Sequence, residues 1–220
     1  MTREKAGKIY TILKRTYPGS HTALEHKGPW ELLVATILSA QCTDARVNKV
    51  TPSLFRKYPA PEDIARARKT DLEKIIRSTG FYHNKATNII NAARVITEKY
   101  KGMVPRSMEK LVELPGVARK TANIVLYHSF GIIDGIAVDT HVKRLSYRMG
   151  LTLNTDPVKI ERDLMAIFDR KEWGELSDTL IQHGRTLCKA RKPYCIACPV
   201  RSMCPSAGYG GRPAGAASIP

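Results

Sequence analysis

Leu114-Pro115-Gly116-Val117-Ala118-Arg119-Lys120-Thr121-Ala122 holds a helix stop and a helix start within a few residues. Ser107 is placed to cap a short helix ending near Leu114, and Pro115-Gly116 breaks it. A second helix begins near Ala118, with Ala122, Val125 and Leu126 on its apolar side. Two short helices joined by so tight a turn form a helix-hairpin-helix, here spanning residues 107–130. The turn leaves free backbone N–H groups at the second helix's N-terminus. Together with the positive end of the helix dipole, these groups hold a phosphate without reading base sequence. An ordinary αα-hairpin uses the same turn. The Val117-Ala118-Arg119-Lys120 continuation and the charge of the whole chain favour nucleic acid.

Outward from this hairpin the pattern stays helical. Ala86, Ile89, Ile90, Ala93 and Ile96 recur at three and four residues, and Gly102 follows as a stop. Val34, Ile37 and Leu38 mark a largely buried helix entered through Gly28-Pro29-Trp30. Asp156-Pro157 reads as a cap with a first-turn proline, ahead of Ile160, Leu164, Ile167 and Phe168 on one face. Leu176, Leu180 and Leu187 indicate a further helix running into a cysteine cluster. Neither a run of strands nor a repeat of fixed period is visible, so the fold class is all-α.

The chain has 220 residues, enough for one large domain or two small ones with real cores. Thirty-six Lys and Arg against 20 Asp and Glu leave a formal charge of +16. A surplus that large calls for a polyanionic partner, nucleic acid first and an anionic membrane surface second. Met1 to Ser20 has no apolar core of the signal-peptide kind, and the apolar stretch at Leu32–Ala40 is too short to span a bilayer. These features predict a soluble, cytoplasmic protein associated with the nucleoid. From Pro205 onward, Gly, Ala, Ser and Pro predict a flexible tail with no chemistry.

Four features carry chemistry. Lys120 lies in the first turn of the second hairpin helix. A lysine ordinarily titrates near ~10.4 and is a poor nucleophile. The dipole's positive end, the neighbouring Arg119 and partial desolvation all disfavour the ammonium form, the condition for Schiff-base chemistry. The same position also suits a simple phosphate contact. Asp139, in Val138-Asp139-Thr140-His141-Val142-Lys143-Arg144, precedes a helix running to about Met149. An Asp there is commonly an N-cap. Fixed by that role, it also suits stabilisation of the positive charge that builds on deoxyribose as an N-glycosidic bond breaks.

The third feature is Cys188-x6-Cys195-x2-Cys198-x5-Cys204. Four thiolates this close enclose one metal centre in a reducing compartment, and tetrahedral zinc and a [4Fe–4S] cluster are both chemically possible. Zinc ribbons usually pair two short knuckles, whereas this spacing has one, which tilts the reading toward a structural cluster. Lys189, Arg191 and Lys192 on its first loop are candidate phosphate contacts. Cys42, far away in sequence, reads as a small buried residue. The fourth feature is a pair of helix junctions. Gln41, in Leu38-Ser39-Ala40-Gln41, is placed either to cap a helix or to fill the space left by an extruded base. Phe81, in Gly80-Phe81-Tyr82-His83-Asn84-Lys85, is placed either for the core or as a wedge in the base stack.

Taken together, Leu38–Gln41, Gly80-x-Tyr82, the Leu114–Asn123 hairpin, Val138–His141, His183-Gly184-Arg185 and the cysteine spacing resemble the endonuclease III family, in family order over roughly Gly28–Cys204. The resemblance implies a two-lobed helix-hairpin-helix glycosylase fold. One lobe is a six-helix barrel near residues 21–133. The other joins residues 1–20 to 134–204 and carries one [4Fe–4S] cluster on the four cysteines, with 205–220 as the tail. DNA would cross the cleft where Lys120, the Schiff-base nucleophile, faces Asp139, its electrostatic partner. Gln41, Phe81, Gly116, Ala118, Arg119, His141, Arg185, Lys189, Arg191 and Lys192 would contact DNA. The implied activity is that of a monomeric DNA glycosylase/AP lyase acting on oxidised or ring-saturated pyrimidines and abasic sites in duplex DNA. Rival readings are a mismatch thymine glycosylase, an adenine glycosylase (disfavoured by Thr36 where those relatives carry glutamate, and by the presence of Lys120) and a non-catalytic DNA-binding metal protein. Two positions depart from the family pattern. Ala118 stands where glycine is frequent and is expected to be already helical. Phe81 is bulkier than usual and is followed by His83, which bears on lesion preference.

Overall fold

A computed structural model describes residues 1–208, and all regular structure among them is helical. The tail expectation falls, beyond Gly208, outside the described residues. The helices are α1 (Arg3–Thr16), α2 (Pro29–Leu38), α3 (Asp44–Lys57), α4 (Pro61–Ala65), α5 (Lys69–Ile76), α6 (Tyr82–Tyr100), α7 (Met108–Val112), α8 (Arg119–Phe130), α9 (Thr140–Arg148), α10 (Pro157–Ile167) and α11 (Trp173–Thr186). No helix among the described residues is long and apolar enough to cross a membrane. The chain divides into two units: Thr22–Asp134, and Met1–His21 together with the residues from Gly135 onward.

The first of these units is built around α2. Leu32, Leu33, Val34 and Ala35 are consecutive and all fully buried, so this helix is surrounded rather than laid against one face. Pro29 at its first turn supplies the helical φ without wasting an amide donor. Long α6 adds Ala86, Ile89, Ala93 and Ile96, each fully buried, at the spacing of one helical face. It stops at Lys101, which is left-handed at φ 53°, and Gly102 N then donates to Ile96 O at 3.0 Å. The stop residue is therefore a lysine, with the expected glycine one position later. Hairpin helices α7 and α8 close the core with Leu111, Leu114, Val125 and Leu126.

The other unit has its own core. Ala6, Ile9, Tyr10 and Leu13 of α1 join Val142 and Leu145 of α9, Ile160 and Leu164 of α10, and Leu176 and Leu180 of α11. Asp156 accepts from Lys159 N at 3.0 Å with Pro157 at the first turn, a cap legible in the sequence. Gly184 lets α11 approach α9. A Cβ there would stand 2.7 Å from His141 Nδ1 and 3.0 Å from Arg144 Nη2.

Candidate active site

In the unit Thr22–Asp134, Leu114 N donates to Leu111 O and Val117 N to Leu114 O, at 3.1 and 3.0 Å, which tightens the hairpin turn. Gly116 sits at φ +79°, and a Cβ on it would come 2.8 Å from Asn88 Cβ on α6. Both the backbone and the neighbour demand glycine here. Ala118 is the N-cap of α8 in an extended conformation, φ −95° and ψ 169°. It is thus neither helical, as the sequence reading held, nor left-handed, so an alanine fits without strain. Ser107 occupies the N-cap of α7, but its side chain makes no capping bond. The first intrahelical donor of α8 is Ala122 N, to Ala118 O at 3.0 Å. The N–H groups of Arg119, Lys120 and Thr121 therefore have no intrahelical acceptor, and alanine at the cap offers none. These donors, the exposed Arg119 and the dipole make an anion site of this helix end. Lys120, in the first turn, is partly exposed and makes no hydrogen bond or ion pair among the described residues.

Two junctions in the same unit carry left-handed non-glycine residues. Gln41, between α2 and α3, has φ 53°, is exposed, and makes no side-chain hydrogen bond among the described residues. The capping role considered for it is not what the structure shows. Phe81, at the head of α6, has φ 49° and is 63% exposed, so the core role considered for it is overturned. Cys42 is half-buried at the edge of the core rather than inside it, because it lies in the turn after α2. Thr36 is buried and donates to Leu32 O at 2.7 Å.

The other unit places Asp139 at the N-cap of α9, where Oδ1 accepts from Val142 N at 2.8 Å. That bond fixes the carboxylate while leaving Oδ2 outside it. His141, in the next turn, has Nδ1 3.1 Å from Arg144 Nη2. The same Nη2 donates to Gly184 O and Cys188 O, both at 3.1 Å, so Arg144 ties α9 to the end of α11 and the start of the cysteine loop. Arg185 lies exposed on α11.

Cys188, Cys195, Cys198 and Cys204 line one cavity together with Arg148, His183 and Tyr194. All four are free thiols. Burial pushes Cys198 and Cys204 above the ordinary thiol range, and the neighbouring cysteines push the same way. Among the described residues no group of three or more His, Cys, Asp or Glu is arranged to hold a single metal ion. Arg148, buried on α9, donates to Lys189 O at 2.8 Å and Ala190 O at 2.9 Å and stands 3.5 Å from Cys188 Sγ. Its fork pins the loop that displays Lys189, Arg191 and Lys192, all exposed. Burial holds His183 down at about 4, so it is neutral near pH 7. Its Nδ1 lies 3.0 Å from Tyr17 Oη and its Nε2 3.7 Å from Cys198 Sγ.

The sequence profile of the HhH-GPD superfamily of base excision DNA repair proteins matches residues 34–170. The endonuclease III of Synechocystis sp. is 55% identical over 205 residues, 93% of this chain and 94% of that protein. The endonuclease III of Bacillus subtilis is 47% identical over 189 residues, 86% of each. The chain belongs to the endonuclease III family. A solved endonuclease III, trapped as a covalent intermediate with DNA, superposes with a TM-score of 0.91 at 42% identity, covering 95% of this chain and 98% of that one. Membership of the endonuclease III family makes the chain a base excision repair enzyme, a DNA glycosylase and AP lyase.

Proposed function

We propose that Lys120 is the Schiff-base nucleophile and Asp139 its electrostatic partner in excising oxidised or ring-saturated pyrimidines from duplex DNA. The observation that carries this is Lys120's position in the first turn of an uncapped helix, without an ion-pair partner among the described residues. A nucleophile needs its amine available, and a first-turn amine without an ion pair is available. A related endonuclease III has been trapped covalently with DNA, which supports an attacking amine here.

Backbone phosphates bind to the N–H groups of α8, to Arg119, and to Lys189, Arg191 and Lys192. Gly116 and Ala118 let the phosphate come close, and His141 and Arg185 add polar contacts. A damaged nucleotide rotates out cheaply because it stacks and pairs poorly. Gln41 fills the space it leaves, and Phe81 wedges the stack. The Lys120 amine attacks C1′ as the base leaves, and the Asp139 carboxylate stabilises the cationic sugar. The resulting imine acidifies the adjacent C2′–H. Loss of that proton expels the 3′ phosphate by β-elimination and cuts the strand on the 3′ side.

The four cysteines suit a [4Fe–4S] cluster, because four free thiols line one cavity. Cys188, Cys195, Cys198 and Cys204 would hold such a cluster through their thiolates, and that ligation would tie down the loop from Cys188 to Cys195. The protein then acts as a monomer in the cytoplasm, on nucleoid DNA.

Borohydride reduction during incubation with thymine-glycol duplex tests the chemistry. A covalent protein–DNA adduct forms with the parent protein and is absent with Lys120→Ala. An undiminished adduct in Lys120→Ala assigns the nucleophile elsewhere. Iron and sulfide without zinc in the purified protein confirm the cluster.

A further inference from the structure

Lys85 is the only buried lysine among the described residues, 5% exposed. An ammonium that deep needs acceptors. It has two, Leu38 O and Thr79 O, each at 2.8 Å. Leu38 is the last residue of α2, and Thr79 ends the 3-10 turn Arg77–Thr79. Carbonyls at helix ends have run out of intrahelical donors and carry the negative end of the dipole, so one cation serves both. Burial pushes the Lys85 ammonium below the ordinary lysine range, and the nearby Cys42 thiol pulls the other way. Lys85 also donates its backbone N–H to Phe81 O at 3.1 Å. Gln41 follows Leu38 by three residues and Phe81 follows Thr79 by two, each left-handed at its junction.

We propose that Lys85 is a positioning residue: by holding Leu38 and Thr79 to one ammonium, it fixes the separation at which Gln41 and Phe81 enter the duplex. This rests on the reading of those two side chains as duplex-filling. Each sits in a short turn, and a stack that must be opened pushes back on both. The ammonium resists that push at both turns together, which neither turn's own backbone bonds do. Its two bonds cross between elements, so losing them frees one turn relative to the other without removing a contact to DNA.

The test is a double-mutant cycle. Lys85→Met keeps an unbranched stem of similar length and removes the donors. In the parent background it is expected to raise KM for thymine-glycol duplex about tenfold, with a smaller change in kcat. In a Gln41→Ala/Phe81→Ala background the same substitution is expected to change KM less than about twofold, since nothing remains to position. Cleavage of a single-stranded abasic oligonucleotide, which has no stack to fill, should change as little. Equal losses on duplex and single strand, or the same KM factor in both backgrounds, would overturn the proposal by showing general damage. An unchanged duplex KM in Gln41→Ala/Phe81→Ala itself would instead sink the duplex-filling reading, and the positioning role with it. Should Lys85→Met not fold, the cycle is run with Lys85→Gln, whose neutral amide is one atom shorter and loses the ammonium that both carbonyls share, under the same criteria.

Discussion

Asp139 caps α9, and in the proposed mechanism the same carboxylate has a second job that can be separated from the first. Capping needs only an oxygen that accepts from Val142 N, whereas stabilising a cationic sugar needs the charge. Asparagine is as good a cap as aspartate. Asp139→Asn is therefore expected to leave the denaturation midpoint nearly unchanged and to lower single-turnover base excision by about 10²–10³-fold. Asp139→Ala should lose the same activity and also about 1 kcal/mol of stability, read from a urea titration. Matching stability losses in the two variants would mean that the charge matters for folding rather than for chemistry. At this scale the sequence was informative wherever a residue acts through its immediate neighbours: Asp139 before its helix, Lys120 in a first turn, the spacing of the cysteines. Lys85 and Arg148 went unnoticed because each bonds a distant carbonyl, Leu38 O 47 residues away for Lys85 and Lys189 O 41 residues away for Arg148. For Lys85 a signal was present, since it lies four residues before Ile89 on the apolar face of α6.

The hairpin is the element whose geometry is least negotiable. Gly116→Ala meets both a left-handed φ and the Asn88 side chain, so relaxing one does not relieve the other. A destabilisation of about 2–4 kcal/mol is expected, from the backbone and overpacking costs together, along with weaker binding to undamaged duplex. Denaturant titration and fluorescence anisotropy measure the two. Trimming the neighbour, in Gly116→Ala/Asn88→Ala, should recover only the packing part. Element types and most ends were readable because proline, aspartate and apolar spacing act locally, as at Asp156-Pro157 and Gly28-Pro29. Cap conformations were less so. Nothing in the residues around Ala118 distinguishes an extended cap from a first helical residue. For Phe81 the residues left both a core and a wedge reading open, since a phenylalanine beside a tyrosine suits either until the turn's handedness is known.

For the molecule as a whole, charge sets how tightly and how fast it meets a polyanion. Much of the +16 surplus is spread over the surface, but Lys189, Arg191 and Lys192 are gathered on one pinned loop. Replacing all three with glutamine is expected to lower the slope of log K against log salt by about 2–3 for undamaged duplex, near 0.9 per phosphate contact. The loss should be independent of base sequence, because the proposed partners of the loop are phosphates. An unchanged slope would remove the loop from the DNA interface. The fold class was open to reading from 220 letters because composition and period determine it. Which long-range hydrogen bonds hold the loops in place was not, since these depend on how distant helices come to pack.

The left-handed backbones at Gln41 and Phe81 carry a consequence for engineering. Glycine at either position would relieve an unfavourable main-chain geometry, offset in part by the greater freedom of the denatured chain, for a net gain of about 0.5–1 kcal/mol. Such a variant would survive heating better and repair damage worse. A thermostability screen blind to catalysis would therefore select against the two side chains that the proposed mechanism sends into the helix of its substrate.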